Sequence, residues 1–253
     1  MSENEVVAGA AEAVAEQDGT GEIKATSPEL RSIGWRWPFF KIVFSLYIVS
    51  AIALMASSVH AANVVQAVFE SDTANQPSYE TLVFVDTHQS LTSIALLASL
   101  IGSIIAFGFL MPRSMHNARE WAGGQTDYQP PSLVWWFFIP IMNLFKPYMA
   151  LQELWGILHQ KADEEEQSDT VLFPLWWGAW IIGGIMGNIA FRLPGNDWSF
   201  ELSGGNYDDY VFSRLYDVPE LLFNIISAIA LLALASRIVN LQRKLGLGNA
   251  TGS

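Results

Sequence analysis

A chain of 253 residues in which 51% of positions are hydrophobic, 15% are charged and ten are Trp is far more apolar and aromatic than an ordinary soluble domain. It has the composition of a multi-pass membrane protein. Its net charge of −12, with no basic stripe to displace phosphate counterions, excludes nucleic acid as an expected partner. The absence of cysteine excludes disulfides, thiolate metal sites, iron–sulfur clusters and cysteine nucleophiles.

Residues 1–34 are rich in Ala, Glu and Gly, with Lys24 as the only base before Arg31. They contain no apolar run resembling a secretory signal and lack the N-myristoylation pattern, so a disordered, uncleaved tail is expected. A membrane domain over 35–245 follows, with a flexible tail over 246–253.

Four apolar runs, at about 38–62, 91–111, 171–191 and 218–239, each approach the roughly 20 residues needed to cross a bilayer. Pro38 and Pro219 suit first-turn helix positions. Trp35, Trp37, Trp176, Trp177 and Trp180 lie near predicted ends, where interfacial anchors belong. Glu70 to Gln89 and Pro194 to Asp217 read as acidic extracytoplasmic loops, the second with WSFEL, SGGN and YDDYVF in the pattern of a short hairpin.

A fifth apolar stretch, from Leu133 to Leu158, is interrupted by Pro140 and Pro147. If it crossed the bilayer, Arg237, Arg243 and Lys244 would fall opposite Arg31, Arg36 and Lys41. With four spans these groups share one side with Arg113, Arg119, Lys146 and Lys161, leaving Arg192 and Arg214 on the other. The positive-inside bias favours four spans with both termini cytoplasmic, although a proline-kinked fifth span is the alternative. The predicted fold is therefore all-α integral membrane, with four transmembrane helices and a proline-broken re-entrant or interfacial segment between spans two and three. Asn143 is placed to cap the second helix of that segment. Beyond Pro147, Glu153, Gly156 and Gln160 continue the line of Asn143, Lys146 and Ala150, while Leu151, Leu154, Trp155 and Leu158 take the other faces, as in an amphipathic helix at a membrane surface.

The run from Arg113 to Trp155 carries a resemblance. His116–Asn117–Ala118–Arg119, Pro131, Trp135–Trp136–Phe137–Phe138–Ile139–Pro140, Asn143–Leu144, Lys146–Pro147–Tyr148, Ala150 and Glu153–Leu154–Trp155 resemble the signature of a bacterial multi-pass membrane family, domain of unknown function 4328. The similarity covers the chain from about Arg36 to Leu245, and beyond the central motif it is mainly one of hydropathy. It implies an integral membrane protein and supplies no catalytic residue.

His116 and Asn117 follow the second span and could reach Glu153 on a folded cytoplasmic face, which is the one arrangement that suggests interfacial enzyme chemistry. His159 with Asp163, Glu164, Glu165 and Glu166 superficially resembles a metal cluster, but consecutive acids cannot all converge on one ion, and solvation is the expected role. Asp197, Asp208 and Asp209 lack the ligand spacing of a calcium-binding EF-hand loop.

Ionisable residues are nearly absent from the spans, where Asn188 and Asn224 are expected to hydrogen-bond between helices. Small residues recur every fourth position in Ala53–Ser57–Ala61, Ala98–Gly102–Ala106 and Ala179–Gly183–Gly187, giving faces for close helix packing within or between chains. These features favour a non-catalytic component, without cofactor or metal, that docks partner proteins, a second copy or lipids in the bilayer. The alternative is a small transporter, channel or ligand-binding protein using the break around Pro140 and Asn143.

Overall fold

The computed structural model describes residues 29–70, 77–162, 171–193 and 207–247, and all regular structure among them is helical. The long helices are α1 (Arg36–Glu70), α2 (Tyr79–Trp121), α5 (Leu172–Ala190) and α6 (Tyr207–Gln242). All four are long and apolar enough to cross a membrane, and each corresponds to one predicted run. At about 1.5 Å per residue, α2 is roughly 65 Å long, about twice the hydrocarbon thickness, so it must project from the bilayer.

The projecting ends explain two corrections. The loop expected from Glu70 is already helical by Tyr79, because the Ser78 hydroxyl accepts the Thr81 N–H at 3.3 Å and Glu80 complements the helix dipole. Likewise YDDYVF is not a hairpin strand: it opens α6, with Asp208 and Asp209 in the first turn. The remainder of the expected hairpin lies outside the described residues. Pro219 consequently sits inside α6 rather than at its start, whereas Pro38 does occupy the first turn of α1.

The long helices form an up-and-down row in the order α2, α1, α6, α5, in which α2 and α5 are not packed against one another. Three of the small-residue positions lie at close helix contacts. A Cβ on Gly102 would meet Val43 Cγ1 at 2.9 Å, and one on Gly187 would meet Glu220 Oε1 at 2.8 Å. A Cβ on Gly183 would collide with the Asn224 carboxamide.

Between α2 and α5 the chain folds over one end of the row. The segment comprises α3 (Ser132–Trp135), 3₁₀ turns at Trp136–Phe138 and Met142–Leu144, and α4 (Lys146–Ala162). None of these pieces is among the helices long enough to cross a membrane. α4 starts at Lys146 rather than at Asn143, which puts Pro147 in its first turn, where the missing N–H would have no intrahelical partner anyway. Asn143 is therefore not its cap: it lies in the preceding 3₁₀ turn, and its Oδ1 finds no partner among the described residues.

α4 buries Ala150, Leu151, Leu154, Trp155 and Leu158 in the main core, with His159 buried beside them, so its apolar face rests on protein rather than on lipid, and Ala150 leaves the expected polar line. That core also takes Trp37, Trp176 and Trp177, which are packed side chains and not interfacial anchors. Trp35, 54% exposed, is free to act as one. Ile33, within the expected tail, is packed in the core; residues 1–28 and 248–253 lie outside the described residues.

Candidate functional site

The broken segment makes an elbow. From Trp135 to Met149 its outer side is apolar and exposed at Trp135, Phe138, Ile141, Leu144, Phe145 and Met149. Leaving helical geometry frees backbone groups, and these find local partners: Asn143 N–H donates to Ile139 O at 2.7 Å, and the Trp177 indole donates to Leu144 O at 3.1 Å. Pro140 thus forms the bend, and an α5 side chain satisfies it.

The inner side of the elbow roofs a cavity of about 410 Å³. Val134, Phe137 and Phe138 form the roof; Leu100, Ser103, Ile104 and Phe107 of α2 and Trp176 and Trp180 of α5 form facing walls. Phe44 and Tyr47 of α1 and Asn224, Ser227, Ala228 and Leu231 of α6 form the back. Leu100, Ile104 and Phe138 line the cavity and are also exposed on the outside of the bundle, so its mouth opens sideways where α2 and α5 stand apart. The wall is chiefly aromatic and aliphatic. Its polar side chains include Tyr47, Ser103, Asn224 and Ser227, with Ser227 Oγ donating to Trp176 O at 3.1 Å and Ser103 Oγ to Ser99 O at 2.8 Å. The volume lies in the roughly 300–1,000 Å³ range of small-molecule sites.

Of the sequence motif only Phe137 and Phe138 line the cavity, and the rest surrounds the roof. Phe137 meets Phe107, Trp177 and Trp180 edge to face, while Tyr148 packs on Phe173 and Trp177. Trp155 packs on Phe173 and on the His159 ring. Lys146 Nζ lies over the Tyr128 ring at 5.2 Å and the Trp136 ring at 5.9 Å. Glu153 holds the loop after α2 by accepting Asp127 N–H at 2.6 Å and Tyr128 N–H at 3.1 Å, and Arg119 binds Gln129. Trp135 lies outside, tilted against Phe138.

His116 and Asn117 do not join Glu153. His116 Nε2 is 3.3 Å from Glu29 O, and Asn117 clamps the Arg31 backbone: its Oδ1 accepts Arg31 N–H at 2.8 Å, and its Nδ2 donates to Arg31 O at 2.9 Å and to Gln242 Oε1 at 3.0 Å. The motif is a brace tying the segment before α1, the end of α6 and the elbow to α2. Among the described residues, no three His, Asp or Glu side chains are grouped to hold a metal ion. Residues 163–166 lie outside them.

Sequence reasoning missed a polar seam at the opposite end of the row. His88 Nδ1 is 2.9 Å from Ser57 Oγ, Gln89 Nε2 donates to Ser58 Oγ at 3.1 Å, and Ser58 Oγ donates to Asp217 Oδ2 at 3.1 Å. Arg214 lies 3.9 Å from the same carboxylate. One turn further along α6, Glu220 accepts from Asn224 at 3.4 Å. Asn224 therefore bonds within its own helix, and Asn188 is exposed on α5; among the described residues neither makes the expected bond between helices. Glu220 lies inside a predicted span, and its spacing from Asp217 and Asn224, three and four residues, was the available signal.

Neither the curated proteins nor the solved structures include a match to this chain. The family model for domain of unknown function 4328 (DUF4328) matches residues 73–240, the region holding the brace, the elbow and three of the long helices, and the chain belongs to that family.

Proposed function

We infer that the protein is a non-catalytic, membrane-embedded docking component whose cavity between α2 and α5 receives the acyl chain of a lipid-like amphiphile. The observation that carries this reading is the sideways mouth: Leu100, Ile104 and Phe138 belong both to the cavity wall and to the bundle's apolar exterior. A chain entering there leaves lipid for aromatic walls without crossing water, and Ser103, Tyr47 and Asn224 offer polar contact on those walls. The exposed apolar elbow supports an interfacial or re-entrant segment, because such a run beside Lys146 and Lys161 suits the headgroup boundary. Positive-inside bias then supports an inner-membrane protein with both termini cytoplasmic.

The transporter alternative draws less support, since Pro140 and Asn143 are absent from the cavity wall. Enzyme chemistry through His116 and Glu153 lacks their meeting.

Native mass spectrometry of the protein extracted with its own lipids tests the docking reading. Ala228→Trp fills the back of the cavity and is expected to remove a copurifying amphiphile that Ile182→Trp, on the exposed face of α5, retains. Equal retention by both variants would overturn the reading. Orientation is read by an impermeant thiol reagent on intact cells: Ser78→Cys is expected to label and Gln125→Cys to stay unlabelled, and the reverse would invert the topology.

A further inference from the structure

Outside the cavity lining, three guanidinium groups gather where the chain enters α1. Asn117, fully buried, fixes the Arg31 backbone. Arg113 Nε donates to Ser32 O at 3.2 Å, and Arg31 and Arg36 lie near enough to repel its charge. None of the three has a carboxylate within ion-pair distance among the described residues. Guanidinium groups gathered with no acid among the described residues are matched by an anion from outside, and a phosphate with several oxygens suits forked guanidinium donors.

The surroundings indicate where that phosphate comes from. Arg36 lies over the Trp35 ring at 5.2 Å, and Trp35 packs edge to face on Phe109 at 5.5 Å. Both rings are about half exposed, and Arg113 follows directly on the apolar run of α2. An indole with apolar neighbours below it and arginines beside it marks the headgroup level of a bilayer. We propose that Arg31, Arg36 and Arg113 bind the phosphate of an anionic phospholipid, with Trp35 and Phe109 against its upper acyl chain. This site is separate from the cavity and stands or falls independently of it.

The test uses the full chain in nanodiscs, with a spin-labelled phosphatidylglycerol or phosphatidylcholine as probe and the immobilised lipid fraction as readout. Wild type is expected to prefer phosphatidylglycerol, and the preference should fall about five-fold for each arginine removed. The variants are Arg31→Gln, Arg36→Gln and Arg113→Gln, with Arg243→Gln as a basic-end control that leaves the preference intact. The Asn117 clamp holds Arg31 by its backbone, so Arg31→Gln keeps the fold even if Arg113→Gln does not. Retention of the full preference in folded Arg31→Gln and Arg36→Gln would overturn the proposal. So would displacement of the probe by millimolar inorganic phosphate at constant ionic strength, which would identify a free-phosphate site instead.

Discussion

At the basic end of the bundle Leu110, Met111, Met115, Leu151, Leu154, Leu158, Leu234 and Ile238 are almost wholly buried, and aromatic rings from the elbow and α5 close over them. At the other end the packed cluster is small, made of Ala51, Leu54, Leu221 and Ile225, and a row of side-chain hydrogen bonds links α1, α2 and α6 beside it. The difference follows from chain supply. Between α2 and α5 the chain provides an amphipathic helix and an elbow that can cover an end. Within the described residues the other end has no such cover, and apolar helices in lipid gain little by touching one another. Serines that permit close approach, and carboxylates and amides that bond across the gap, do the holding there.

The comparison can be broken first at the covered end. Leu154→Ala leaves a cavity under α4 and is expected to cost about 2–5 kcal/mol, read as a fall in thermal stability in detergent. Leu97→Ala on the exposed face of α2 should change little. Similar stability for the two variants would mean that α4 is not seated on a dry core.

Next in size is Gly183→Leu, whose first added carbon would overlap the Asn224 carboxamide. Overpacking should cost about 1–3 kcal/mol, while Gly184→Leu, with open space around its Cβ, should be tolerated. Wild-type yield and melting for Gly183→Leu would show that α5 and α6 are not packed closely there.

Ser58→Ala sharpens the contrast between the ends, because that hydroxyl joins Gln89 to Asp217. Hydrogen bonds between membrane helices average about 0.6 kcal/mol with a maximum near 1.7, so a loss within that span is expected, smaller than that for Leu154→Ala. A loss equal to that of Leu154→Ala would make the seam the main determinant of stability.

The smallest effect belongs to Asn143→Leu. With no bond made by its Oδ1, this change should stay within about 0.5 kcal/mol in a thermal melt. A loss near 1 kcal/mol would restore the capping role that the sequence suggests.

Much of the fold is legible in the sequence because bilayer crossing depends on local hydropathy and length, which a run such as 91–111 displays without reference to the rest of the chain. The break at Pro140 is equally local. What the sequence hides depends on which helices are neighbours. The cavity exists because α2 and α5 stand apart in a row of four, and no spacing within either helix reports that separation. Asn117 reads as a helix-end polar residue, yet it is a buried clamp joining positions 86 and 125 residues away. Trp176 and Trp177 have the composition of anchors; their burial follows from the elbow folding over them. The seam is concealed for a further reason: Ser57, Ser58 and Gln89 are ordinary residues until Asp217 and His88 are brought beside them.

The claim that the cavity takes an acyl chain is tested most directly by reconstituting the protein with phospholipids that carry a diazirine midway along one chain, irradiating, and mapping adducts by peptide mass spectrometry. The account predicts adducts on Phe107, Phe137 and Leu231, which line the cavity, and their loss in Ala228→Trp. Adducts confined to outward residues such as Leu97 and Ile182, unchanged by Ala228→Trp, would contradict it.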